Sequence, residues 1–127
     1  MPEPSATLPG QPSLSPGAVN LVLFSRADCA FCRIVREHYL LPLAAKRPPR
    51  LFLADIDIES RAMMTGWQRQ RLTQAAFAAS HGARLSPTVI FVDSQGRELA
   101  EPIVGLSNDF FGAYLDAAIA KALAAPI

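Results

Sequence analysis

Cysteine is nearly absent from this chain, with two residues in 127, Cys29 and Cys32. One possible bridge is too few for a disulfide framework, so the fold has to rest on an apolar core. Net charge is nearly absent as well. Twelve basic residues meet eleven acidic ones, and a balance of +1 gives no long-range field to gather nucleic acid or an anionic membrane. No apolar run approaches the ~20 residues that span a bilayer, and no internal repeat is visible. Histidine is limited to His38 and His81, which lack ligand spacing to each other. Apolar side chains are plentiful: half the residues are hydrophobic, enough for a proper core in one domain.

Hydrophobic patterning divides the chain at about residue 18. Met1 to Ala18 is rich in Pro, Ser and Gly and carries one charge, Glu3. Such a composition buries too little surface to offset its ordering entropy and reads as a disordered arm or tether. It lacks the basic and apolar regions of a signal peptide. A Pro/Ser tail of this kind is what a trimmed or tethered periplasmic protein leaves, so a periplasmic location is expected ahead of a cytoplasmic one. Residues 19–127 form the folded domain.

Val19 to Ser25 is an apolar, β-rich run that reads as a buried strand. Asp28 to about Ala45 reads as a helix with Ile34, Val35, Tyr39 and Leu41 inward, and Pro42 must kink or end it. Arg50 to Ile58 alternates as a second strand, Leu51, Leu53, Asp55 and Asp57 sharing one face. Ser60 to Arg71 shows a weak pattern, read as a loop with a short helical turn. Met63, Met64 and Trp67 either fill the core edge beneath it or line a substrate face, and the core edge is the expectation. Leu72, Ala75, Ala76 and Ala79 recur at helical spacing, with Gly82 as C-cap. Val89 to Val92 and Glu98 to Val104 are strands about a turn at Asp93 to Gly96. Ser107 is placed to cap a last helix with Asp109 in its first turn, and Phe110, Phe111, Tyr114, Leu115, Ala118, Ile119 and Ala122 make its apolar stripe. The order β-α-β-α-β-β-α predicts an α/β fold, a mixed sheet of about four strands with helices on both faces.

The chemistry concentrates in Cys29-Ala30-Phe31-Cys32, at the start of the first helix and just after the first strand. A helix N-terminus offers free N–H groups and partial positive charge, both of which favour thiolate, the species that attacks disulfides. Cys29 should be the exposed nucleophile and Cys32, one turn in, the resolving thiol. The same pair could alternatively supply half a tetrahedral zinc shell. Asp28 opposes a Cys29 thiolate, while Arg26 and Arg33 oppose Asp28.

These features together resemble the thioredoxin family over roughly Val19 to Leu123. The likeness is carried by Leu21 to Cys32, by Ser86-Pro87-Thr88 ahead of an apolar strand, by the Asp93 to Gly96 turn, and by Val104-Gly105-Leu106-Ser107 with Phe111 and Tyr114 to Ala117. It implies a thioredoxin fold and a thiol–disulfide oxidoreductase whose only redox group is the Cys29–Cys32 disulfide. It also implies a cis peptide at Pro87, where the bland alternative is an ordinary strand-initiating proline, and substrate contacts at Phe31, Ser86, Pro87 and Gly105. Departures are visible. Asp28 stands where the family has tryptophan, Ala30-Phe31 replaces Gly-Pro, the family's buried acid falls on Leu23, and Met63 to Thr73 is long. Glu37 to Pro42 and Gly105 to Phe111 are most similar to the periplasmic thioredoxins of bacterial sulfur-oxidation clusters. A reductase of a protein disulfide is therefore expected, monomeric and supplied with electrons by a membrane thiol transporter, and the alternatives are a disulfide oxidase or isomerase, or a non-catalytic metal- or partner-binding module of the same fold.

Overall fold

In the computed structural model, residues 7–106 and 109–126 are described. The elements run β1 (Val19–Ser25), α1 (Ala30–Ile34), a π-helical stretch Val35–Leu40, α2 (Leu41–Ala45), β2 (Leu51–Asp57), β3 (Met63–Thr65), β4 (Arg71–Thr73), α3 (Gln74–Ser80), β5 (Thr88–Val92), β6 (Glu98–Val104) and α4 (Phe111–Ala124). The main sheet has the order β2-β1-β5-β6. β2 is parallel to β1, as a helical crossover requires, while β5 and β6 are antiparallel neighbours. β1 is central and buried along its whole length, which is why it reads as a continuous apolar run rather than an alternation.

Each face of the sheet has its own core. On one, Leu21, Leu23, Leu53, Val89 and Phe91 pack under Val35 and Leu40 of the first helical run and under Phe111, Leu115 and Ala122 of α4. On the other, Val22, Phe24, Ile56 and Ile90 pack under Phe77 and Ala78 of α3 and Met64 of β3. This is the expected α/β arrangement, with helices on both faces.

Four local expectations need correction. Met63 to Thr73 is a β-hairpin, not a loop with a helical turn: β3 pairs with β4, burying Met64 and half-burying Trp67, while Met63 stays exposed. α3 starts at Gln74 because the Thr73 hydroxyl accepts from the Ala76 amide, 3.0 Å away. That start puts Phe77 and Ala78 inside and leaves Ala76 and Ala79 exposed. In the first helical run Ile34 is exposed and Leu40 is buried ahead of Tyr39 and Leu41, since the π stretch puts Val35 and Leu40, five residues apart, on one face. The last helix is entered from Phe110, with Asp109 in the turn ahead of it, and Ser107 lies outside the described residues.

The N-terminal arm also differs from a free tether over its described part. The Pro9 carbonyl accepts from the Asp55 amide at 2.9 Å, and the Gln11 side chain accepts from Thr65 at 3.1 Å. Leu8 packs on the core beneath α2. Buried Asn20 accepts from the Ser13 amide at 2.7 Å and donates back to its carbonyl at 2.9 Å, tying arm to sheet as a buried amide must be tied.

Candidate active site

Three chain segments leave the sheet at one end. Phe24, Thr88 and Val104 lie on one row across β1, β5 and β6. Just beyond that row come the dithiol loop, the Ser86–Pro87 loop and Gly105. The chain order of the strands therefore gathers residues more than 70 positions apart.

Cys29 and Cys32 are joined as a disulfide. Cys29 is the N-cap of α1, in extended backbone, and its sulfur accepts from the Cys32 amide at 3.1 Å. The two sulfurs differ in access: Cys29 is half-buried and Cys32 is fully buried. An attacking partner meets Cys29 first, and its sulfur sits against the Cys32 amide of the first turn. Phe31, between them, is 58% exposed and projects an apolar ring beside the disulfide. Asp28 is exposed and lies 3.9 Å from the Arg26 Nε, which also reaches Glu59 at 3.7 Å. Those contacts are solvent-screened and weak.

The Ser86–Pro87 peptide is cis. Pro87 is buried, and its carbonyl accepts from the Gly105 amide at 2.8 Å. Thr88 Oγ1 donates to the Leu85 carbonyl at 2.7 Å, closing the loop on itself. Ser86 Oγ is buried without a hydrogen-bond partner among the described residues. The structure thus brings Cys29, Phe31, Ser86, Pro87 and Gly105 to the same end of the molecule. His38 and Tyr39 stand apart from it. His38 is exposed and Tyr39 packs on Phe111 at 4.8 Å between ring centres.

A carboxylate does stand in the neighbourhood of Leu23, contributed by the next strand. Asp55 is the β2 partner of Leu23. It takes a hydrogen bond from Ser25 Oγ at 2.5 Å and one from Arg36 Nε at 2.6 Å. The sequence carries half of this signal, because Asp55 shares a face with Leu51 and Leu53, where a charge needs a partner. Arg36 was not legible as that partner, because the π stretch resets the helix face.

His81 sits in the second core. Its Nε2 accepts from Trp67 Nε1 at 2.8 Å, and the ring packs against Phe77 and Phe24. Burial holds its pKa below the ordinary 6.5.

No protein-family model matches the chain, and no curated protein sequence does. Solved structures do match. A thioredoxin-fold protein from Helicobacter pylori superposes with a TM-score of 0.61 at 15% identity, covering 87% of this chain and 75% of that one. Thioredoxin O2 from Arabidopsis thaliana, in its oxidised state, gives 0.58 at 14%, covering 83% and 75%. Fasciola hepatica thioredoxin gives 0.57 at 20%, covering 84% and 82%. The chain has the thioredoxin fold, and it carries a C-x-x-C disulfide at the start of the first helix.

Proposed function

We propose that the protein is a thiol–disulfide oxidoreductase acting on protein disulfides, and that it works as a reductase in the periplasm. The observation that carries the reading is the unequal burial of the two sulfurs, with Cys29 accessible at a helix start and Cys32 buried one turn on. In the reduced state the Cys29 thiolate attacks one sulfur of a substrate disulfide. The substrate S–S bond breaks, a Cys29–substrate mixed disulfide forms, and the first substrate thiolate takes up a proton. Cys32 then loses its proton and attacks the Cys29 sulfur. The mixed disulfide breaks, the second substrate thiol leaves protonated, and Cys29–Cys32 is re-formed. Two electrons pass from dithiol to substrate, and a membrane thiol transporter returns them.

Phe31, the Ser86–Pro87 loop and Gly105 supply the substrate contacts in this reading, Phe31 as an apolar ledge and the loop backbone as a pairing edge. Phe31 and Asp28 support the reducing direction. Neither stabilises a Cys29 thiolate, and a poorly supported thiolate favours the disulfide. The periplasmic, sulfur-oxidation part rests on the Glu37 to Pro42 and Gly105 to Phe111 sequences.

Insulin reduction with dithiothreitol tests the activity. Cys29→Ser should abolish turnover, and Cys32→Ser should accumulate disulfide-linked substrate on non-reducing gels. Absence of both effects refutes the reading. Equilibration of the wild-type pair with glutathione tests the direction: a potential near the ~−120 mV of strong oxidants makes the protein an oxidase.

A further inference from the structure

A groove of about 490 Å³ lies between β6 and α4 and follows the strand from Ala100 to Gly105. On the helix side it is lined by Tyr114, Ala117, Ala118 and Lys121, a stripe at helical spacing. Tyr114 and Ala117 are exposed and Ala118 is half-buried. The two alanines end at Cβ, so the space between the tyrosine and the lysine stays open. One acid, Glu101, and one base, Lys121, line the groove, so it favours neither sign of charge.

The strand side offers more than apolar surface. No strand among the described residues lies beyond β6. The Gly105 amide donates to the Pro87 carbonyl at 2.8 Å, which fixes the phase of the ladder. Backbone groups alternate in direction along an antiparallel strand. Ile103, opposite Val89, therefore faces β5, while Val104, opposite Thr88, turns its N–H and C=O outward. Pro102 points outward too, with a carbonyl and no N–H, which is how an edge strand tolerates proline. Such a row matches the backbone of another extended segment and nothing helical. The groove also runs into the dithiol end of the sheet, because Gly105 is its last strand residue and is tied to Pro87. From there to Ala100 is roughly 17 Å at ~3.4 Å per residue, the length of about five residues of partner. A chain leaving Gly105 toward Ala100 runs antiparallel to β6, the better-paired direction.

We propose that the β6 edge and its groove bind the extended segment that follows the reacting cysteine of a substrate protein. The segment's backbone pairs with Val104 and Pro102, and its alternate side chains lie over Ala117 and Ala118. The preferred substrate is then a disulfide whose cysteine is followed by an uncharged, strand-forming stretch. The proposal rests on the dithiol-exchange reading and adds to it the class of chain that the protein reduces.

Synthetic peptides, each a symmetric disulfide dimer, test it. The short one is acetyl-Gly-Cys-Gly-amide, and the long one carries Thr-Val-Thr-Val-Thr after the last glycine. In each reaction the peptide disulfide becomes two peptide thiols as the Cys29 and Cys32 thiols become a disulfide, so electrons and protons balance. The long peptide should be reduced at least ~10-fold faster in kcat/KM than the short one, the worth of a few net hydrogen bonds. The same tail placed before the cysteine should gain less. Successive N–H groups of a strand point to opposite sides, so N-methylation of one alternate set in the tail should abolish the gain and methylation of the other should spare it. Ala117→Trp fills the groove and should bring the long-to-short ratio toward one. Equal rates for long and short peptides overturn the proposal, as does a gain that survives both methylations or is lost in both. A protein that sediments as a dimer and ignores the tail gives the edge to a second copy and also overturns it. Should Ala117→Trp fail to fold, the methylated peptides on the wild type decide. Inactivity on insulin and on the short peptide refutes the function and this inference with it, whereas activity on both without a tail effect refutes the inference alone.

Discussion

At Gly105 the backbone takes φ +81°, where a Cβ crowds the following carbonyl, and the amide is aimed at the Pro87 carbonyl. Nothing lies within 4 Å of where that Cβ would sit. The demand is conformational, not one of space. Gly105→Ala should lower stability by about 1–2 kcal/mol, measured by urea denaturation, and should slow insulin reduction by loosening the loop from Pro87. Gly96, also at φ +81°, differs, because a Cβ there strikes the Trp67 indole as well. Asp93 holds the same turn. Burial pushes its carboxyl pKa up, but hydrogen bonds from the Arg97 and Gln95 amides and the Arg97 side chain outweigh that and bring it below 3.8. A depressed carboxyl stabilises the fold above its unfolded pKa, and the gain is lost as pH falls through the folded value. Asp93→Ala should therefore cost about 1 kcal/mol at pH 7, and the gap to wild type should close as the pH drops below about 4. Chemical denaturation at both pH values checks it.

The β3–β4 hairpin is tied to the second core by apolar packing and by one side-chain hydrogen bond, between Trp67 and His81. It packs Met64 and Trp67 over α3, and Trp67 is latched by the lone pair of His81 Nε2. An imidazolium has no lone pair to offer. His81 has a folded pKa lowered from 6.5, so it stabilises the fold above that value, and the stability is lost as pH falls through the folded pKa. The melting temperature should fall between pH 7.5 and 5, with a parallel change in the emission of Trp67, the chain's one tryptophan. His81→Gln keeps an acceptor but does not titrate, and its stability should be flat over that window. Little of this element was legible in the sequence. Three-residue strands are too short to show a period, and Trp67 and His81 are 14 positions apart. The four sheet strands were legible because apolar runs and alternation record burial directly. The C-x-x-C likewise announces its own chemistry, since two thiols one turn apart at a helix start have few other uses. Helix phase was not legible where a cap or a π stretch resets it. Pro42 illustrates this, for the run continues through it to Ala45, its missing N–H absorbed where the Leu41 amide reaches back to the Arg36 carbonyl.

On the scale of the whole molecule, the sheet has two outer strands of unequal character. The outward amides of Asp55 and Asp57 on β2 are taken, by the Pro9 carbonyl and by the Gln74 side chain. No strand among the described residues flanks β6 on its far side. Unpaired strand edges invite pairing with other chains. Removing residues 1–12 should uncover β2 and the bed of Leu8, giving lower stability and concentration-dependent self-association in sedimentation. A truncated chain as stable and as monodisperse as the full one would show that the arm only rests on the surface.

With the arm in place, lateral growth through the sheet has one direction open. Two copies that met along β6 would use up both free edges at once, and a third would find none. In the language of polymerisation, the strap across β2 lowers the sheet's functionality from two to one. A unit of functionality one terminates at the dimer, whatever its concentration.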